Sequence, residues 1–284
     1  MLCVDNLAMS ITDNYNAAAT RAYSALDRTT SALDNTFAEL SSGLQIHTAA
    51  NNPAGYVSAG LLGDQANGYG VDITNAQNDI SMLRTVQGAL NKIITIIEQM
   101  QQLAYSSANS ATTDQAAMEF NNQEYQALQR DITRITISTR FGPSSFYVFF
   151  LSGTFQVGTG TSSYSQLPFS INTNEVLSWL TLSSTDISTQ ADATSALTHI
   201  AAALQAADNI QSYLGAQQNE LQKIVSNLVT GRENLRASQS RIVDANFAQA
   251  TTKLATQQIL ERTGASMLAQ AQRAPELVLK ALGL

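Results

Sequence analysis

ALTHIAAALQAADNIQSYLGAQQNELQKIVSNLVTGRENLRASQSRI, residues Ala196 to Ile242, decides the fold. Steps of four and three residues run through Ala196, Ile200, Ala203, Ala207, Ile210, Leu214, Gln217, Leu221, Ile224, Leu228, Gly231, Leu235, Ser238 and Ile242, and eleven of these fourteen positions are apolar. A stripe that recurs every 3.5 residues without a proline predicts one helix of roughly 70 Å, at ~1.5 Å per residue, that buries a narrow seam against another helix. A rod of that length does not enclose a catalytic pocket, so the search for function turns toward assembly.

The N-terminal segment carries Ile11, Tyr15, Ala18 and Ala22, then Ala22, Leu26, Thr29, Leu33, Thr36 and Leu40 in the same rhythm, which predicts a helix from near residue 5 to residue 42. Ser42-Gly43 breaks the pattern, and Asn51-Asn52-Pro53-Ala54-Gly55 reads as a turn in a loop between helical regions. The helical signal resumes at Ile73 and continues through Ala76, Ile80, Leu83, Val86, Leu90, Ile93, Ile97, Met100 and Ala104. Residues 114 to 136 form a third stripe, with Phe120, Ala127, Leu128, Ile132 and Ile135 on the apolar side and Arg130, Asp131 and Arg134 facing solvent. Between Arg140 and Asn172 the period changes. SSFYVFFL, TFQVGTGT and LPFSI read as short strands and hairpins that cap one end of the bundle, and residues 173 to 190, with the single Trp179, lead back into the opening stripe.

After Ile242, the positions Phe247, Ala250, Leu254, Ile259, Leu260, Met267, Leu268 and Ala271 keep helical spacing to Pro275, which starts a last turn containing Leu277, Val278, Leu279 and Leu282. No globular segment lies beside this face, and its natural partner is the N-terminal helix. A single two-helix seam buries too little to offset the entropy of ordering both termini. Ile11, Leu26, Leu33, Leu40, Leu254, Ile259, Leu260, Leu268, Val278 and Leu282 are therefore the expected self-assembly residues, ordered when several copies pack side by side.

The expected fold is mainly α: a long antiparallel coiled-coil and helical-bundle hairpin with a small β-hairpin region in the middle of the chain. Its parts are residues 1–43 and 243–284 as an inner coiled coil, 44–139 and 191–242 as the bundle, and 140–190 as the short β segment, whose removal is expected to leave assembly intact.

Composition narrows the function. Charged residues make up 13% of the chain, and Ser, Thr, Asn and Gln fill the surface positions instead. The net charge of -7, with only Lys92, Lys223, Lys253 and Lys280 as lysines, gives no basic patch for a nucleic acid. No apolar run is long enough for a membrane span. Cys3 is the sole cysteine, so no intrachain disulfide forms, and MLCVDNLAMSITDN lacks the basic and apolar regions of a cleavable signal peptide. His47 and His199 have no neighbours at metal-ligand spacing, Cys3 has no adjacent base, and Gly158-Thr159-Gly160 lacks the rest of a nucleotide loop. Neither catalysis nor a cofactor is expected.

Four motifs stand in order: Leu40-Ser41-Ser42-Gly43-Leu44-Gln45-Ile46 with Ala49 to Gly55; Leu103-Ala104 with Ser107-Ala108-Asn109; Ser240-Arg241-Ile242-Val243-Asp244-Ala245-Asn246-Phe247-Ala248; and Gln270-Ala271-Gln272 through Leu282. Together they resemble the LSSGLRIN…DDAAG, LAxQSAN, SRIxDxDYA and closing QANQxPQxVLxLL motifs of the bacterial flagellins. The resemblance covers almost the whole chain. It implies a subunit whose terminal helices pair as an inner coiled coil, export through the flagellar type III apparatus, polymerisation beneath a cap protein into an extracellular filament, and an export chaperone and hook-junction proteins as further partners. The hook-filament junction proteins share the terminal helices, but the QRAPELVLKAL ending favours flagellin. A surface adhesin or secreted immune ligand is the alternative from another class. Two departures are notable. Phe141-Gly142-Pro143 stands where FNG is usual. Gln99 and Ser106 replace the arginine and glutamine of the family's innate-immune receptor epitope, which predicts weak stimulation of that receptor.

Overall fold

The computed structural model describes residues 16–109, 111, 113–142, 144–145, 153–160, 165–171 and 182–281. Ile11, Leu282, Cys3, Trp179 and the FYVFFL run at 146–151 lie outside the described residues, and Val278 is described through its helical backbone alone. The elements are α1 (Ala17–Ser42), α2 (Pro53–Ala108), α3 (Gln115–Ser138), β1 (Arg140–Phe141), β2 (Ser144–Ser145), β3 (Gly153–Gln156), β4 (Gln166–Phe169), α4 (Gln190–Val243) and α5 (Phe247–Ala281). They fall into two compact units: residues 1–63 with 236–284, and residues 64–235. The mainly α, antiparallel architecture read from the stripes is the one observed.

The larger unit, 64–235, is organised by the stripe that opens the sequence. From Ala196 to Leu214 every stripe position is buried, as are Leu221 and Leu228. α4 runs antiparallel to α2, with Gln218 Nε2 donating to Gln87 Oε1 at 3.0 Å and Gln211 Nε2 to Asn91 Oδ1 at 3.3 Å. α2 answers with its own stripe, in which Leu83, Leu90, Ile93, Ile97, Met100 and Ala104 have no accessible surface. Near the other end of this pairing the backbones approach closely. A Cβ on Gly231 would lie 2.8 Å from the Tyr69 ring, so the ring occupies the space a side chain would need.

α2 begins at Pro53, twenty residues before the helical periodicity becomes legible. Pro53 occupies the first helical position, where its missing N–H costs nothing, and Asn52 caps the helix by accepting from Gly55 N at 2.9 Å. Gly55, Gly60, Gly63, Gly68 and Gly70 follow, each a poor helix former. At Gly68 tertiary packing bears on the choice: a Cβ there would lie 2.4 Å from Thr159 Cγ2, so a side chain at this position would displace that of Thr159.

α3 packs antiparallel to α2, with Asn121 Nδ2 donating to Ser106 Oγ and Ser107 Oγ. Its buried residues are Met118, Tyr125 and Ile132, seven apart. Phe120, expected on the apolar side, is 70% exposed. It stands two positions from Met118, about 200° round the helix, and so faces solvent. Residues 182–189 run beside α3: Gln129 Nε2 donates to the Leu182 and Thr185 carbonyls, and Ile187 N donates to Asn122 Oδ1. Thr189 then caps α4 by accepting from Asp192 N at 3.2 Å and donating to Asp192 Oδ2 at 2.6 Å, a reciprocal cap.

β1 and β2 pair antiparallel around Gly142, whose φ of 60° suits the turn. β3 and β4 form a second hairpin, Gly153 opposite Phe169 and Gln156 opposite Gln166. The hairpin lies along the side, reaching Gly68 of α2 through Thr159 and Tyr213 of α4 through Phe169, whose ring centroid is 5.6 Å from the tyrosine ring. Phe155, Val157, Leu167, Phe169 and Ile171 belong to the same buried cluster as Ile97 and Leu214, as do Leu182 and Ile187. Removing residues 140–190 would therefore strip one wall of the core.

Candidate self-assembly interface

The smaller unit is built on α1 and α5. Their pairing is antiparallel: Asn16 contacts Ala271, Leu26 lies against Gly264, and Gly43 lies beside Phe247. On α1 the side facing the partner follows the four-three rhythm through Ala22, Leu26, Thr29, Leu33, Thr36 and Leu40, with Leu33 and Thr36 buried and the others half-buried. On α5 the same rhythm runs through Ala250, Leu254, Gln257, Glu261, Gly264, Leu268 and Ala271. Five of these seven α5 seam positions are thus small or polar. Gln257 Oε1 is buried there without a hydrogen-bond partner.

The large apolar residues of α5 that fall off the seam point outward. Ile259 is 65% exposed, Leu260 52% and Met267 56%, and Phe247 is similarly open. α1 contributes exposed Tyr23 and Phe37, and the start of α2 contributes Tyr56, Val57 and Leu61. Nine of the thirteen exposed large hydrophobic residues among the described residues belong to this unit. Scattered apolar side chains need no explanation on a surface, but this concentration does.

The expected assembly residues therefore divide. Leu26, Leu33, Leu40, Leu254 and Leu268 lie in the seam between α1 and α5 of one chain, whereas Ile259 and Leu260 face away from it. Tyr23, Phe37, Phe247 and Met267 were absent from the expected set. Tyr23, Phe37 and Met267 each stand one position out of register with the stripe of their own helix, whereas Phe247 keeps the register of Ala250 and Leu254 and is exposed at the start of α5.

The breaks in the two long helical paths are tied together. α1 ends at Gly43, whose φ of 71° is left-handed and whose N–H donates to Glu39 O at 2.9 Å. Gln45 N donates to Val243 O at 2.7 Å, and Ala245 N donates to Gly43 O at 2.9 Å, so residues 43–45 and 243–245 form a short antiparallel bridge. Ser240 Oγ hydrogen-bonds the Asp244 carboxylate, and Asn246 caps α5 by accepting from Gln249 N. Two of the sequence motifs, Leu40 to Ile46 and Ser240 to Ala248, thus meet at one joint. His47 lies beside it, half-buried, with Nδ1 unpartnered. No group of three or more His, Cys, Asp or Glu among the described residues could hold a metal ion, and no helix among them is long and apolar enough to cross a membrane.

Comparison with known proteins places the sequence. Residues 14–147 match the bacterial flagellin N-terminal helical region and residues 197–282 the bacterial flagellin C-terminal helical region. A flagellin of Halalkalibacterium halodurans is 33% identical over 247 residues, covering 86% of this chain and 89% of its own. A flagellin of Bacillus subtilis is 28% identical over 304 residues, covering 95% of this chain and 99% of its own. The crystal structure of Bacillus cereus flagellin aligns with 55% of this chain and 88% of its own, at a TM-score of 0.46 and 24% identity. The chain belongs to the bacterial flagellin family. It is a structural subunit of the flagellar filament, a homopolymer outside the cell.

Proposed function

We propose that the outward apolar residues of α1, α5 and the start of α2 are the surface on which copies of the chain pack, and that the seam residues Leu26, Leu33, Leu40, Leu254 and Leu268 hold the helix pair that presents them. Ile11, Val278 and Leu282 remain assembly residues in this proposal on their sequence spacing alone. The observation that carries this reading is the inversion on α5: Gln257, Glu261 and Gly264 face the partner helix while Ile259, Leu260 and Met267 face outward. A pair built only for itself would place its best apolar residues in its own seam. Side-by-side packing buries them in neighbouring copies, and the 13% charge content keeps repulsion between copies low.

Export through the flagellar type III apparatus, with a chaperone on the way and a cap and hook-junction protein at the growing end, completes the proposal. The family membership of the chain and its single cysteine, Cys3, support it. The protein works by its shape and stiffness, with no catalytic step of its own.

The experiment is to replace Ile259 and Leu260 by serine together and follow polymer growth by electron microscopy at rising protein concentration. Both side chains are exposed in the single chain, so melting of the monomer should change little. The expected outcome is a critical concentration raised about tenfold or more. Filaments that form from the double variant as readily as from the unaltered chain would refute the role given to this surface.

A further inference from the structure

Between α2 and the C-terminal end of α3, in the larger unit, a shallow groove of about 360 Å³ is lined by Gly88, Ala89 and Lys92 on one side and Ile135, Ser138 and Thr139 on the other. Its floor is Gly88: a Cβ added there meets no heavy atom within 4 Å, so the space belongs to no part of the same unit. A glycine within an exposed helix costs about 1 kcal/mol relative to alanine, and here no close contact within the chain requires it. The rim is basic. Lys92 lines the groove, Arg84 lies one turn before Gly88, and Arg140 directly follows Thr139; all three are exposed.

Charge in this unit is segregated. Residues 93–129 carry Glu98, Asp114, Glu119 and Glu124, and residues 182–200 carry Asp186 and Asp192, with no lysine or arginine in either stretch. All six carboxylates are exposed. Within this acidic end Tyr105 projects from α2, 59% exposed. It stands seventeen residues beyond Gly88, about 100° round the helix at 100° per residue, and therefore on a different face from the groove. A knob on one face and a hole on another make a contact that does not close on itself, so each copy can join two others in a row.

The geometry points to a second copy of this chain as the occupant of the groove: Tyr105 of one subunit seats on Gly88 and Ala89 of its neighbour, its hydroxyl toward the Lys92 rim, with Glu98 and the rest of the acidic end facing Arg84, Lys92 and Arg140. This contact rests on the filament reading and adds to it a polar, charge-matched joint in the larger unit, separate from the apolar surface of α1 and α5. Complementary potentials fix which faces meet and suppress like-with-like pairing, which a polymer with a single direction requires.

The test uses the full-length chain. Gly88→Leu fills the groove and meets nothing in its own subunit, so the monomer should melt at the same temperature or higher while the critical concentration for polymerisation rises about tenfold or more. Tyr105→Ala should do the same. Lys92→Glu should weaken assembly, and combining it with Glu98→Lys should restore most of the loss, which a purely structural role for either residue would not give. A Gly88→Leu chain that polymerises like the unaltered one leaves the groove to another partner or to none, and overturns the contact while the filament reading stands. Failure of the unaltered chain to polymerise would sink both.

Discussion

Asn16 performs two tasks with one side chain. Its Oδ1 accepts from Ala19 N at 3.0 Å and caps α1, while its Nδ2 donates to Ala271 O at 2.8 Å on α5. That carbonyl needs a donor because the residue four positions on is Pro275, which has no N–H to return. The sequence marks Pro275 as the start of a last turn; α5 runs through it to Ala281, with the orphaned carbonyl satisfied from the other helix. Replacing Asn16 by aspartate keeps the cap and loses the donor, and replacing it by alanine loses both. Thermal melting of the polymer should rank the unaltered chain above Asn16→Asp and Asn16→Asp above Asn16→Ala, with the alanine variant lower by about 1 kcal/mol. An aspartate variant equal to the parent would deny the link to Ala271.

Two carboxylates in the larger unit are held against their preference. Asp72 is buried with Oδ2 unpartnered, and burial raises its pKa. Asp79, likewise without a partner for Oδ2, is pushed up by burial to about 6. A carboxyl whose folded pKa lies above its unfolded 3.8 binds its proton more tightly when folded. Its contribution to stability is complete below the unfolded value and is lost as pH rises through about 6. At neutral pH the ionised Asp79 therefore costs stability. Asp79→Asn should raise the melting temperature at pH 7.5 by a few degrees, at about 2–4 °C per kcal/mol for a unit of this size, with the gap closing below pH 4. A variant that melts lower at pH 7.5 would show that the carboxylate has a stabilising partner.

At the scale of elements, legibility followed periodicity. The stripe from Ala196 to Ile242 and the one from Ile73 to Ala104 could be read directly because apolar residues of similar size recur every 3.5 positions. The helix over 53–72 could not, since five glycines in sixteen residues erase both the stripe and the propensity. What they provide is closeness, which only neighbours in space reveal. Phe120 misled because an aromatic residue was weighed by type; its register with Met118, Tyr125 and Ile132 decides its side. The β segment was legible as strands, but its place along the bundle depends on contacts such as Phe169 with Tyr213, far apart in the chain. The glycines make opposite predictions. Gly231→Leu drives a side chain into the Tyr69 ring and should lower stability by about 1–3 kcal/mol in denaturant melts, whereas Gly88→Ala should be neutral or stabilising. Equal effects at the two sites would contradict the packing described.

For the whole molecule, the decisive feature is where the apolar surface is left over. The bundle of the larger unit buries its stripes within the chain. The α1 and α5 pair does not: its seam takes Gln257 and Gly264 while Ile259, Leu260 and Met267 remain outside. Sequence alone marked the termini as surfaces for copies of the chain, and it named Ile259 and Leu260. It could not separate them from the seam leucines, because both sets have helical spacing and only the pairing geometry assigns each to a side.

Met267 offers the most direct measurement. It is the exposed methionine among the described residues, where Met82, Met100 and Met118 are buried, so peroxide oxidation read residue by residue by mass spectrometry reports on this face alone. The expected result is rapid oxidation of Met267 in the dilute chain and protection of about tenfold or more in the assembled filament, comparable with buried methionine. Equal oxidation of Met267 in monomer and filament would mean that the outward face of α5 stays in water after assembly, and that the proposed surface is not where the copies meet.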